Sequence, residues 1–161
     1  MSSKPDFAYR LSDRVFAGPH PLKVGLPLEE VLGQISGAGV RVVFDLTAAR
    51  EVPDAAYVQG LAKRGIAHRR LGFENLSTPT VLEMRSILDA IGDATARGAT
   101  YVHCLYGEGR TGTVAGCFLR DRGDPDWRAT LDAARGDAGY GPGSPSGVEQ
   151  AQFVENWPPR N

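Results

Sequence analysis

His103-Cys104-Leu105-Tyr106-Gly107-Glu108-Gly109-Arg110-Thr111-Gly112 places a cysteine, a loop with two glycines, an arginine and a hydroxyl residue in close succession. Before it, Ala99-Thr100-Tyr101-Val102 reads as a short buried strand. After it, Thr113 to Leu119 reads as a helix, with Val114, Cys117 and Phe118 on one face. Strand, loop and helix in that order predict an α/β unit whose loop lies at the carboxyl end of a strand. Five fixed residue types at set spacings arise by chance in roughly one window per million, so composition alone does not account for them.

The residue types suit a phosphate ester. Cysteine attacks phosphorus as a thiolate, a form favoured by a helix N-terminus and a fixed cation. Leu105, Tyr106, Gly107, Glu108, Gly109 and Arg110 would supply the phosphate-binding loop, its glycines letting consecutive N–H groups turn inward as an anion cradle. Arg110 offers a planar fork for two phosphate oxygens. Thr111 can donate a hydrogen bond to the Cys104 sulfur and improve it as a leaving group.

Outward from the loop, strands alternate with helices. Leu28, Val31, Leu32 and Ile35 follow a helical period ended by Gly37-Ala38-Gly39. Arg41 to Leu46 is a strand, Ala55 to Lys63 a helix, and Ile66 to Leu71 a strand at or near a sheet edge. Thr80-Val81-Leu82-Glu83 reads as a capping box, followed by Met84, Ile87, Leu88 and Ile91 on one face. Trp127 to Arg135 is a helix, Gly136 to Gly147 an ordered loop, and Ser146 to Glu149 a second capping box. The pattern predicts one α/β domain over 1–161, with a mainly parallel central sheet covered by helices on both faces.

The loop resembles the HCxxGxxR[ST] active-site loop of the cysteine-dependent protein tyrosine and dual-specificity phosphatases, small bacterial members above all. Arg14-Val15-Phe16-Ala17-Gly18 resembles their entry strand and Val42-Val43-Phe44-Asp45-Leu46-Thr47 their "DLT" strand. Ser144-Pro145 followed by Glu149-Gln150 resembles their "SPxxxxQ" segment. The likeness spans about 10–157. It implies a metal-independent phosphomonoesterase without cofactor, acting on phosphotyrosine or phosphoserine/threonine proteins, or on a small phosphomonoester, through a cysteinyl-phosphate. It also implies that Gln150 orients the hydrolytic water. Relatives carry an Asp four residues before Pro79 as general acid, where this chain has Asn75. Glu74 is the neighbouring candidate, with Asp45 next.

Several residues carry two readings. Spacing alone leaves Gln150 a surface residue or one aimed into the site. His103 braces the loop as a core histidine, whereas His20 and His68 read as surface residues. Three isolated histidines and two cysteines form no metal-ligand set. Cys117 reads as a small core residue and Asp45 as a strand-end residue bonding a nearby amide. Leu105 and Glu108 stand where phosphoinositide-active relatives carry lysines, and a carboxylate there repels multiply phosphorylated inositols. Tyr106 either stacks on an aryl substrate or packs. Arg50, Arg69 and Arg70 either attract a phosphopeptide or are solvated.

With 42% hydrophobic and 23% charged residues, the composition is that of an ordinary globular domain. A net charge of −1 gives no reason to expect nucleic-acid or membrane binding. No apolar run reaches the roughly 18 residues of a membrane span, Met1 to Asp6 has no signal-peptide character, and a cysteine in a reactive loop fits a reducing, cytoplasmic setting. The oligomeric state is not legible. Three functions fit: the phosphatase, a phosphate-binding pseudophosphatase lacking the Asp acid, and a rhodanese-like sulfurtransferase. The Gly-x-Arg-Thr ending favours phosphate over sulfane sulfur.

Overall fold

The computed structural model describes residues 3–75 and 77–160. The start at Met1 and Ser2 lies outside them. Five strands form one sheet: β1 (Tyr9–Ser12), β2 (Val15–Gly18), β3 (Val40–Asp45), β4 (Ala67–Arg70) and β5 (Ala99–His103), in the spatial order β1-β2-β5-β3-β4. Only β1, paired with β2, runs antiparallel. The sequence reading missed β1, a four-residue edge strand with little apolar alternation.

Among the described residues six α-helices cover the sheet. α1 (Leu28–Gly37) and α2 (Ala55–Lys63) lie on one face, with Val31, Leu32, Ile35, Tyr57 and Leu61 buried against Phe16, Val43 and Tyr101. α3 (Val81–Thr95), α4 (Arg110–Asp121), α5 (Trp127–Asp137) and α6 (Val148–Glu155) cover the other, packing on Val15, Ala17, Val42, Phe44 and Val102. Neighbouring strand residues thus feed opposite cores, the period-two alternation of a sheet buried on both sides. β4 is an edge strand whose residues alternate between exposed and half-buried, as its charged sequence predicts.

The capping box of α3 forms: Thr80 Oγ1 accepts from the Glu83 N–H (3.1 Å) and Glu83 accepts from the Thr80 N–H (2.8 Å). The box expected at Ser146 does not. α6 begins one residue later, with Gly147 as an uncapped N-cap, because the Ser146 N–H is taken by the Glu108 carboxylate at 2.6 Å. α4 begins at Arg110 rather than Thr113, so the helix reaches into the loop.

Strand register gathers the loops at one place. Gly18 and Asp45 both lie level with His103, so β2, β3 and β5 end together. The segments leaving those ends, Pro19-His20, Leu46-Thr47 and Cys104 onward, meet at the carboxyl ends of the three central strands.

Candidate active site

The loop from Cys104 to Gly109 is shaped by what its carbonyls touch. Cys104 O accepts from His103 Nδ1 (2.9 Å) and Leu105 O from the His20 N–H (3.0 Å). Gly107 O accepts from Arg135 Nη1 (2.9 Å) and Tyr9 Oη (3.2 Å), and Glu108 O from Ser144 Oγ (2.6 Å) and the Gly112 N–H (3.1 Å). A trans peptide points its N–H opposite to its carbonyl. Tethering these four carbonyls to the scaffold therefore turns the N–H groups of Leu105, Tyr106, Glu108 and Gly109 to the other side. Among the described residues none of those amides has a protein acceptor. With the uncapped first turn of α4 they form an anion cradle.

Two glycines are steric requirements. Gly107 has φ +76°, and a Cβ there would meet Gly18 C at 2.5 Å and Pro19 N at 2.7 Å. A Cβ on Gly112 would meet the Ser144 hydroxyl and Pro145 N (3.0 Å), so α4 and the 144–147 segment touch through backbone.

Cys104 is 3% exposed and Arg110 1% exposed. The Arg110 guanidinium is held end-on by Glu51, Nη1 to Oε2 at 2.8 Å and Nη2 to Oε1 at 2.9 Å. Its Nε is buried and has no partner among the described residues. The Nε–Nη2 edge, the other fork of a guanidinium, is thus left for an oxyanion. The Arg110 hydrogen bonds also hold the Glu51 carboxyl below its ordinary value. The sequence reading missed Glu51, whose one signal is an acid on the loop after the "DLT" strand.

Beneath the loop all three histidines of the chain converge. His20 is fully buried and the His68 side chain only 12% exposed, because the level strand ends bring them to His103 and Asp45. The His20 and His103 rings lie 4.8 Å apart, and His68 Nε2 donates to Asp45 Oδ2 at 2.9 Å. His103 Nδ1 carries the proton given to Cys104 O, so Nε2 accepts from Tyr57 Oη at 2.8 Å. Burial lowers the His103 pKa to about 4, keeping the ring neutral. Burial opposes charge on Asp45 too, but hydrogen bonds from His68 and Thr47 hold its carboxyl well below the usual range. Asp45 also takes the Thr47 amide, the strand-end role expected of it. Its burial and its partners remove it as a proton donor. Ligand atoms of His20, Asp45 and His103 fall within 4.8 Å of one another. Yet His20 Nδ1 accepts from the Leu22 N–H, so Nε2 bears the proton and offers no lone pair to a metal.

Gln150 is fully buried and faces inward. Its Nε2 donates to Ser77 O (3.1 Å), while Oε1, without a partner among the described residues, lies beside Gly109. Thr111 Oγ1 is buried with no hydrogen bond among the described residues, so the expected contact to the Cys104 sulfur is not made here. Glu74 and Asn75 are exposed on the 72–79 loop, and Glu74 pairs with Arg50 at 2.9 Å rather than with any cradle residue. Glu51, Phe73, Glu74, Arg50 and Arg70 line a cleft of about 640 Å³ beside the cradle. Arg70 is spent on Asp45 and Asp54, and Arg69 lies over the Phe44 ring. Tyr106 is 67% exposed and, among the described residues, has no ring contact. Cys117 is a core residue whose thiol burial pushes upward.

Comparison with known proteins bears on the family and the fold. A family model described as "Polymorphic toxin system, DSP-PTPase phosphatase" matches residues 21–124. The dual specificity protein phosphatase CDC14AB of Danio rerio is 34% identical over 110 residues, 65% of this chain and 17% of that protein. The chain therefore spans less than a fifth of that relative. Among solved structures, Tk-PTP in its active form superposes with a TM-score of 0.74 at 22% identity, covering 94% of this chain and 95% of that one. TpbA of P. aeruginosa superposes with a TM-score of 0.70 at 17% identity, covering 96% and 88%. Likeness at these identities speaks to fold.

Proposed function

The chain belongs to the cysteine-based dual-specificity and tyrosine phosphatase superfamily, and on that premise we propose that it hydrolyses phosphomonoesters through a cysteinyl-phosphate, with phosphorylated proteins as the substrate class. The observation that carries the proposal is the set of inward amides above Cys104 together with the free Nε edge of Arg110. Cys104 attacks phosphorus in line, and the cradle and Arg110 hold the equatorial oxygens as charge spreads over them. The S–P bond forms as the O–P bond to the leaving group breaks.

The leaving oxygen takes its proton from Glu74. The Arg50–Glu74 pair is about three-quarters exposed on both sides, and such surface pairs contribute about 0–1 kcal/mol, so the carboxyl is readily released. Water held by Gln150 Oε1 beside Gly109 then attacks phosphorus and gives a proton to the Glu74 carboxylate left by the first step; the new O–P bond forms as the S–P bond breaks and the thiolate leaves. A buried acceptor without a donor is costly in a resting protein, and a water gives it one. That same group weighs against a pseudophosphatase, which has no second step for Gln150 to serve. Rotation of the Thr111 hydroxyl toward the sulfur would stabilise the departing thiolate.

The test is turnover of para-nitrophenyl phosphate by the metal-free protein. We expect activity that is resistant to chelator, blocked by vanadate and lost in Cys104→Ser, which still binds inorganic phosphate. Substantial turnover by the Ser variant would overturn the assignment of Cys104.

A further inference from the structure

Arg135, in the last turn of α5, is 6% exposed, and among the described residues it has no carboxylate within ion-pair distance. Buried guanidinium groups ordinarily face an acid. This one lies over a pair of packed aromatic rings, 5.4 Å from the Tyr9 ring and 5.3 Å from the Tyr140 ring. Its Nε donates to Gly141 O at 3.2 Å and its Nη1 to Gly107 O at 2.9 Å. Gly107 belongs to the cradle.

The charge balance around the loop gives this contact meaning. Arg110 is neutralised end-on by Glu51, so that cation brings little net charge to an incoming dianion. Arg135 touches the same loop and, among the described residues, makes no ion pair of its own. Its hydrogen bond also falls on the carbonyl of the 107–108 peptide. Polarising that carbonyl makes the N–H of the same peptide, on Glu108, a stronger donor into the cradle.

We propose that Arg135 is the second cation of the phosphate site, a positioning residue that fixes the Gly107 peptide and supplies the net positive charge an oxyanion meets. The inference rests on the phosphate-binding reading of the Cys104–Arg110 loop. Arg135 touches no substrate. It acts through the peptide and through its field, which is weakly screened at a buried site.

The experiment is titration of the full chain with tungstate, followed by calorimetry, for the wild type, Arg135→Gln, Arg135→Lys and Tyr9→Phe, with circular dichroism to check folding. Arg135→Gln removes the charge and should raise the tungstate Kd about tenfold or more. Arg135→Lys keeps it and should stay within about threefold. Tyr9→Phe removes the other donor to Gly107 O with the charge intact, and should also stay within about threefold. In steady state KM should rise in Arg135→Gln more than kcat falls, because the charge acts on substrate and transition state alike. Equal binding by Arg135→Gln and the wild type would overturn the proposal. So would a folded Arg135→Lys that loses tenfold, since charge would then not be the active property. If Arg135→Gln fails to fold, the lysine variant decides alone. A wild type that binds no tungstate would instead overturn the phosphate-site reading itself.

Discussion

Replacing Glu51 with glutamine tests whether the end-on clamp prepares Arg110 or blocks it. The pair has two charge-assisted bonds, at 2.8 and 2.9 Å, with Arg110 1% and Glu51 23% exposed. Glutamine keeps one acceptor oxygen, loses the charge and turns an NH2 group toward a donor. The loss is about 2 kcal/mol, which lowers Tm by roughly 4–8 °C for a domain of this size. Freed from Glu51, the guanidinium drifts from its place, and a displacement of about 1 Å costs about a hundredfold in kcat. Tungstate should bind less tightly. Arg110 bonding depresses the Glu51 pKa, so the pair's stability is complete above its ordinary value of 4.5 and is lost as pH falls through the lower folded value. The variant should lack that acid-side loss. Urea melts from pH 7 to pH 3 and para-nitrophenyl phosphate kinetics measure both arms. A variant with unchanged Tm and kcat, or with tighter tungstate binding, would refute the clamp.

Glu74→Gln should lose about 10²–10⁴-fold on an alkyl phosphate and much less on an ester of a very acidic phenol. A variant as fast as the parent on the alkyl ester rules Glu74 out as donor. Asn75→Asp should raise alkyl phosphate turnover by restoring an acid where relatives carry one, and a drop would count against that alignment. Gly107→Ala drives a Cβ into the Gly18 backbone from a φ of +76°, so we expect at least about 2 kcal/mol of lost stability and no tungstate binding; calorimetric titration that matches wild type would contradict this. Burial lowers His103 to about 4 and lowers His20 as well, while the unfolded chain protonates near 6.5, so stability should fall as pH drops from about 6.5 toward 4. A flat urea midpoint across that window would show that these rings are charged in the folded protein.

What was legible in the sequence was local. The capping box at Thr80, the bounds of α2 and the strand–loop–helix about Cys104 each rest on residues a few positions apart. What was not legible depends on register between distant strands. Nothing in a linear reading sets Gly18 and Asp45 level with His103, so His20 and His68 read as surface residues when His20 is core and His68 is half-buried against Asp45. The Glu51 clamp spans 59 residues of chain and the Arg135 tether 28. Each needs the assembled loop before its partner exists. Ser146 shows a local rule overruled: its amide went to Glu108, and the helix began without a box.

Because the proposed oxyanion site is built from peptide groups and one side chain, Arg110, the loop separates two tasks that proteins often entangle. The main-chain part of such a socket does not depend on which residues wear it, provided the glycines and Arg110 stay. Leu105 and Tyr106 flank that socket, and Tyr106 is 67% exposed. Such flanking positions can drift between aliphatic, aromatic and charged residues while the catalytic step persists. Preference among substrates would then diverge between kindred proteins by exchange at one or two positions, with no intermediate that has lost its chemistry.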